Sequence, residues 1–310
     1  MYTGELISLG VAVSWTVTAL FFEYAGKRIG SLSLNFVRLV MSIIMLGTTL
    51  FIFTNNFFPI DAGSKAWFWL GISGFIGYII GDYCLFSSYV LIGSRFGQLF
   101  MTLAPPSAAL AGMFILNEKM NGMAILGMFV TLSGIALSIV GRKDSNTKKW
   151  EFKLPIKGIL FGVGAGIGQG VGLVFSKLGM DYYMQTVDLQ DKVAVFMVPF
   201  ASTQIRAITG AIGFLTIILL TGKLQTLIRS FTDRKAMAAS VGGTFFGPFL
   251  GVSFSLMAIQ YTNAGIASTL MALTPILILA PSCFIFKQKV SAKEVIGVII
   301  SVVGVSLFFM

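Results

Sequence analysis

The chain has 310 residues, of which 56% are hydrophobic and only 11% are charged, and its formal net charge is +10. Because a soluble domain carries about 25% charged residues, this composition excludes an ordinary water-soluble domain and indicates lipid as the main solvent. The basic excess does not indicate nucleic acid, since the lysines and arginines stand between apolar segments and form no continuous stripe.

Long apolar segments follow one another along nearly the whole chain. A helix needs about 20 apolar residues to cross a hydrocarbon core of about 30 Å, and it satisfies its own backbone groups there. The segments are apolar throughout, as in Met123–Val140, whereas barrel strands alternate. The sequence predicts an all-α integral membrane protein with ten transmembrane helices, at about 5–24, 31–53, 66–91, 95–116, 122–141, 157–178, 203–221, 237–259, 264–286 and 292–310.

The first five predicted helices, residues 1–141, place two charged side chains inside apolar segments: Arg38 in the second helix and Asp82 in the third. An ionisable group within the membrane is costly and is by default a functional candidate. Asp82 could take a proton or pair with a cationic group of a solute, unless it lies near a helix end. Arg38 could clamp an anionic group or tie helices together, unless its long side chain reaches the interface.

Polar segments interrupt the apolar pattern after the fifth and sixth predicted helices. Gly141–Lys157 is rich in lysine and arginine, and we assign residues 142–157 to a basic linker. Asp181–Lys192 has an acidic bias and predicts an inserted loop around residues 180–200.

The linker divides the chain into two similar halves, residues 1–141 and 158–310. Residues 71–140 align with 241–310 without a gap, and the matches include glycines and a proline. Each half has five predicted spans, an odd number, so the halves are predicted to be inverted repeats as in secondary transporters. The matched positions are Gly77/Gly247, Gly81/Gly251, Pro105/Pro275, Gly127/Gly297 and Gly134/Gly304.

Arg206 is the counterpart of Arg38, three residues into the predicted seventh helix, and the same two interpretations apply to it. Pro105 and Pro275 occupy equivalent positions within spans. A proline removes a backbone hydrogen bond and kinks a helix, so each could mark either a flexing point beside a cavity or a static bend. The recurring glycines predict a seam of close helix packing.

Further polar side chains stand in or beside the apolar segments. A cavity for a small polar solute needs a few donors and acceptors among apolar walls, although each such group could equally form a packing hydrogen bond between helices. The candidates for substrate binding, besides Asp82, are Trp15, Tyr78, Tyr83, Gln98, Gln169, Gln204, Ser253 and Tyr261.

Basic residues collect on one face of the ten-helix arrangement, which includes the linker. Because cytoplasmic loops are rich in lysine and arginine, this bias predicts that both termini and the acidic segment lie outside.

Two stretches carry a resemblance to a known family. The segment AIQYTNAGIASTLMALTPILILAPSCFIFKQKVSAKEVIGVIISVVGVSL (258–307) resembles the second half of an EamA domain of the drug/metabolite transporter superfamily, and so does SSYVLIGSRFGQLFMTLAPPSAALAGMFILNEKMNGMAILGMFVTLSGIAL (87–137). Trp15 in VSWTV and Arg38 in NFVRLV match residues common in the first two helices of that domain. The chain departs from the pattern where Lys287, Gln288 and Lys289 stand opposite the acidic Glu118.

The resemblance implies export or exchange of small metabolites, such as amino acids or related compounds, through a central cavity lined by helices 1, 3, 4, 6, 8 and 9. It also implies cytoplasmic termini, against the charge bias. We therefore expect a multi-pass protein of the cell membrane, the inner membrane if the cell is bacterial. Its expected partners are a small-molecule solute and membrane lipid, with a homodimer left open.

No enzymatic activity, cofactor or metal is expected. The sequence has no histidine and nothing resembling a nucleotide-binding P-loop. Cys84 and Cys283 both lie in apolar spans and suggest no disulfide framework. The alternatives are a non-transporting membrane sensor or structural protein and, less favoured, an integral-membrane lipid enzyme, which would need clustered catalytic groups.

Overall fold

A computed structural model describes residues 2–115, 122–143, 150–152, 154–261, 270–286 and 290–307. Within this part of the chain, eight helices are long and apolar enough to cross a membrane. They are α1 (Thr3–Ile29), α2 (Ser31–Thr54), α3 (Ser64–Ile92), α4 (Ser94–Ile115), α5 (Gly122–Ile139), α6 (Ile156–Met184), α7 (Lys192–Leu220) and α9 (Arg234–Ala258), with the short α8 (Leu224–Ser230) before the last.

Two shorter apolar helices occupy the last two predicted spans, namely α10 (Thr274–Phe286) and the 16-residue α11 (Ala292–Leu307). Parts of both predicted spans, residues 264–269 and 308–310, lie outside the described residues. The chain is thus a many-helix membrane protein, and the count of ten crossings stays a prediction.

A short antiparallel strand pair, which the all-α prediction did not include, begins at the end of the predicted first repeat and continues into the predicted linker. Strand β1 (Val140–Lys143) pairs with β2 (Trp150–Phe152). This pairing satisfies backbone groups where the chain leaves the helices.

The predicted inserted loop around residues 180–200 is wrong. Helix α6 continues to Met184 and α7 begins at Lys192, so each has 29 residues and only residues 185–191 connect them. The side chain of Asp191 accepts hydrogen bonds from the backbone N–H groups of Val193 and Ala194, at 2.9 and 3.1 Å, which caps the start of α7. Pro199 lies inside α7.

Both halves contain a π-helical segment at equivalent positions. These segments are Phe75–Asp82 within α3 and Phe245–Val252 within α9. A π-helix disturbs the regular hydrogen-bond ladder, and such segments are frequent at functional sites. Their equivalence gives structural support to the internal repeat.

The predicted glycine seam joins α5 to α11. The Thr131 hydroxyl donates to the Ser301 carbonyl at 3.4 Å, and the Ser301 hydroxyl donates to the Thr131 carbonyl at 3.3 Å. A Cβ at Gly134 or Gly297 would meet backbone of the partner helix within about 2.6 Å, so these glycines permit the close approach. The contact is reciprocal because Thr131 and Ser301 are repeat equivalents.

Candidate functional site

The π-helical segment of α3 places Asp82 in a buried, charged environment. Asp82 is only 5% exposed and lies ten residues before Ile92, the end of the helix, or about 15 Å along the axis. The alternative that this acid lies near a helix end is therefore wrong. Its carboxylate forms an ion pair with the guanidinium of Arg38.

Arg38 is held in place by groups from α2 and α3. Its Nε and Nη2 donate to the side-chain carbonyl of Asn35 at 3.1 and 3.0 Å. Its Cζ lies 4.7 Å from the ring centre of Phe86 and 5.3 Å from that of Tyr78, distances at which a cation is attracted to an aromatic ring. Since Arg38 is 2% exposed, it does not reach the interface as the alternative interpretation required.

Close packing of α6 against α3 brings Gln169 to the same carboxylate. A Cβ at Gly168 would lie 2.7 Å from the Cα of Gly81, and a Cβ at Gly172 would lie 2.8 Å from the Cα of Gly77. The two helices therefore meet glycine on glycine. Gln169 Nε2 donates to Asp82 Oδ1 at 2.5 Å and to the carbonyl of Gly77 at 3.1 Å. It thereby connects the second half of the chain to the acid.

Arg206 approaches this group from α7, at the middle of that 29-residue helix. The sequence placed it three residues inside a span, and that position was wrong because α7 begins earlier. Arg206 is 5% exposed, and its Cζ lies 4.6 Å from the ring centre of Tyr78. Its charge also acts on Asp82. At this depth, about 20 Å from either helix end, the side chain cannot extend to the interface.

These residues form the charged cluster, defined here as Asn35, Arg38, Tyr78, Asp82, Gln169 and Arg206. Sequence reasoning singled out each of these residues except Asn35. Asn35 lies one helical turn before Arg38, and that spacing was the signal that could have identified it. Among the described residues, the hydrogen-bond partners of the Asp82 carboxylate are both donors, Arg38 and Gln169, which favours a charge-balancing role over a free proton-binding site.

Two predicted glutamines form packing hydrogen bonds outside the cluster. Gln98 Nε2 donates to the Tyr89 hydroxyl at 2.6 Å. Gln204 Nε2 donates to the carbonyls of Ile43 and Phe57, at 3.2 and 3.0 Å. Each amide joins neighbouring segments and is buried, so the packing interpretation fits both contacts.

The other aromatic and hydroxyl candidates are dispersed. Tyr83 packs edge-on against Phe161. Trp15 packs on the π-helical segment of α9, where its Nε1 lies 2.7 Å from a Cβ built on Gly251. Ser253 is fully buried and its hydroxyl has no partner among the described residues.

Tyr261 is 56% exposed and contributes to a cavity of about 430 Å³ at one end of the helices. That cavity is lined by Phe53, Leu189, Lys192, Val193, Val195, Phe196 and Tyr261. It does not touch the charged cluster, whose charged side chains are closely surrounded by protein. The conformation described is therefore one in which the charged cluster is enclosed.

Pro105 and Pro275 lie at repeat-equivalent positions where the regular α-helical geometry is interrupted. Pro105 is the second residue of the α-helical part of α4 that follows the 3₁₀ turn Met101–Leu103, and Pro275 is the second residue of Thr274–Leu277. Both helices thus restart at the proline, as a missing N–H permits. Whether these breaks flex stays a prediction.

A many-helix membrane fold with a buried polar cluster contributed by both halves is typical of multi-pass membrane transporters. The chain belongs to the EamA-like transporter family, whose model matches residues 2–140 and 156–310, and thereby to the drug/metabolite transporter superfamily. The family resemblance deduced from the sequence is confirmed.

The named relatives are bacterial inner-membrane proteins. The chain is 25% identical over 164 residues to the "uncharacterized inner membrane transporter YhbE" of Escherichia coli K12, and equally to its counterpart in Shigella flexneri. The match covers 52% of this chain and 50% of the relative, so the chain spans about half the length of the relatives it matches. One crystal structure shares the fold, with a TM-score of 0.58 at 16% identity over 99% of this chain and 96% of the other.

Proposed function

We propose that the protein is a secondary transporter that moves small metabolites, such as amino acids or related compounds, by alternating access in export or exchange. The observation that carries this proposal is the charged cluster, in which α2 and α3 of the first half meet α6 and α7 of the second half deep within the helices. Intramembrane ionisable groups that face a bundle interior mark solute or ion pathways.

The repeat contacts support an inverted arrangement of the halves. The reciprocal bonds of Thr131 and Ser301 relate α5 to α11, as a two-fold axis between equivalent helices would. Two inverted halves provide two related conformations by rocking around a fixed site. The exchange between them would open the enclosed cluster first to one side and then to the other.

Two ion pairs between the halves support a closed gate on the basic face. Arg28 at the end of α1 donates to Asp233 before α9 at 2.7 Å, and Arg95 at the start of α4 pairs with Glu294 in α11 at 2.6 Å. Both would separate when this face opens. Since solvent-exposed ion pairs contribute little to stability, the pair of Arg28 with Asp233 is easily broken.

Transport is tested with purified protein reconstituted in lipid vesicles. Vesicles loaded with a labelled panel of amino acids and other small metabolites should lose label faster than protein-free vesicles. The double variant Arg38→Met, Asp82→Val, which removes the paired charges together, should abolish this loss while the protein still inserts. A matched control is Arg229→Gln, an exposed arginine of α8, which should leave flux unchanged.

No flux for any member of the panel, with correctly inserted and monodisperse protein, would favour the non-transporting sensor or structural protein over the transporter.

A further inference from the structure

The charged cluster contains more positive than negative charge. Arg38 and Asp82 form an ion pair, which leaves the charge of Arg206 unbalanced. Among the described residues, no ion pair within 4.0 Å involves Arg206, and its Nε has no hydrogen-bond partner. The charge of Arg206 also acts on Asp82, but that carboxylate is already paired with Arg38, so two buried guanidinium groups share one carboxylate. An uncompensated buried charge is strongly unfavourable, and the cluster therefore lacks one negative charge among the described residues.

The hydroxyl of Tyr78 is a second buried group without a partner. Its oxygen has no hydrogen bond among the described residues, although the residue is only 2% exposed and its ring contacts the Arg206 guanidinium. Buried polar groups are normally satisfied, and each exception requires an explanation. The Nε of Arg206 and the hydroxyl of Tyr78 can both donate hydrogen bonds, and the two side chains contact each other.

The absence of a side chain at Gly77 accommodates the head group of Arg206. A Cβ on Gly77 would lie 3.1 Å from Arg206 Nη2, closer than ordinary contact, so the glycine clears space for the head of the side chain. The depth of Arg206, at the middle of α7, separates it from the lipid headgroups at both membrane surfaces. The required anionic group is therefore one that reaches the interior of the helices.

We propose that Arg206, assisted by the Tyr78 hydroxyl, binds a carboxylate of a singly charged solute during transport. This inference rests on the proposed transport function and adds the chemical class of its substrate. The planar fork of a guanidinium donates two parallel hydrogen bonds to a carboxylate. One uncompensated positive charge matches a monoanion, whereas a dianion would leave the site with excess negative charge.

The bound carboxylate would also enter the opening step. It would neutralise the charge of Arg206. The two positive charges of Arg38 and Arg206 would then be balanced by Asp82 and the bound carboxylate. The loaded cluster could therefore change between exposed and enclosed conformations without burying an unpaired ion. An empty cluster would retain the unpaired charge, which favours exchange of one monoanion for another over return of the empty protein.

Binding is tested on the purified full chain in detergent, by thermal stabilisation at constant ionic strength. A ligand that binds only the folded protein raises its melting temperature according to its concentration and affinity. The probes are sodium acetate, pyruvate and benzoate, each compared with its neutral amide, together with sodium phosphate and phosphatidylglycerol.

We expect at least one carboxylate to stabilise the protein saturably while its amide does not. Arg206→Gln should weaken that carboxylate at least about tenfold, the loss typical of a charge-assisted pair. Arg229→Gln, which removes an exposed arginine, should bind as the unchanged protein does. Equal affinity in Arg206→Gln, no stabilisation by any carboxylate, or stabilisation only by phosphatidylglycerol would overturn the proposal.

Tyr78→Phe provides a second variant that keeps the ring and the fold. Because its hydroxyl has no partner among the described residues, a purely structural role predicts an equal or higher melting temperature without ligand and unchanged binding. The proposed role predicts binding weakened about two- to tenfold. Unchanged binding in this variant would remove Tyr78 from the site.

The two proposals fail separately. Saturable carboxylate binding that depends on Arg206, without flux in vesicles, would support the anion site and contradict transport. Flux of neutral solutes through protein that binds no carboxylate would support transport and overturn the anion site.

Discussion

The two π-helical segments occupy equivalent places in the repeat but differ in chemistry. In the first, Phe75–Asp82, the polar residues Tyr78 and Asp82 contact arginines. Their equivalents in the second, Phe245–Val252, are Pro248 and Val252.

In both segments, one backbone carbonyl accepts a hydrogen bond from a side chain on a helix of the opposite half. The carbonyl of Gly77 accepts from Gln169 at 3.1 Å, and that of Phe246 accepts from the Ser14 hydroxyl at 2.5 Å.

The comparison distinguishes features that both halves share from features that only the first half has. The shared features are the π-helical geometry, two glycines at equivalent positions and a backbone carbonyl that accepts a hydrogen bond from the opposite half, and they join the halves in both places. Charge is present in only one of them. The second segment instead carries phenylalanines, and the ring centres of Phe245 and Phe249 lie 5.6 Å apart.

The largest effect is expected from Asp82→Val, which gives the first segment the residue found at the equivalent position of the second. The variant leaves Arg38 buried without its counter-charge, and removal of one partner of a buried pair costs about 3–5 kcal/mol. Unfolding in mixed micelles, followed by the helical circular dichroism signal, measures this loss.

The double variant Arg38→Met, Asp82→Val is the matched control, because replacing a whole buried pair by apolar groups is often neutral. If the single and double variants are equally destabilised, the charges of Arg38 and Asp82 are not coupled as the ion pair indicates.

Parts of this arrangement could be predicted from the sequence. Glycine and proline positions identified the repeat, and Arg38, Asp82 and Arg206 stood out as ionisable residues in apolar segments. Their convergence could not be predicted, because it depends on the depth of Arg206 in α7, and that helix begins at Lys192, before the predicted span. The π-helical geometry leaves no distinctive signal in an apolar sequence.

An intermediate effect is expected where the two segments differ in how their glycines pack. A Cβ on Gly172 would lie 2.8 Å from the Cα of Gly77, so α6 and α3 would have to separate, whereas a Cβ on Gly247 would meet the Thr18 side chain at 2.7 Å. Gly172→Ala should cost about 1–3 kcal/mol through overpacking. Gly247→Ala should cost less, since Thr18 can adjust its side chain.

The unfolding measurement in mixed micelles compares these two variants with Gly10→Ala, whose added methyl would meet nothing within 4 Å. That control should be neutral or stabilised by up to about 1 kcal/mol, because alanine favours helix over glycine. Equal losses for Gly172→Ala and Gly247→Ala would show that backbone contact does not distinguish the two interfaces.

The smallest effect is expected at Asp233, which links the start of α9 to Arg28 of α1 outside the apolar spans. The hydrogen bond from Arg28, followed by that from the backbone N–H of Ala236, holds the pKa of the Asp233 carboxyl below its ordinary value. A carboxyl with a lowered pKa in the folded state stabilises above its unfolded pKa and loses that contribution as pH falls through the folded pKa. The contact between the halves should therefore persist at mildly acidic pH and weaken only under more acidic conditions.

Titration of a ¹³C-labelled Asp233 carboxyl should show the low pKa, and Arg28→Gln should raise it toward the ordinary value while Arg229→Gln leaves it unchanged. A pKa that does not respond to Arg28→Gln would mean that this ion pair does not hold the two halves together on this face. The proposed gate would then lose the support of Arg28 and Asp233 and would rest on the pair of Arg95 with Glu294.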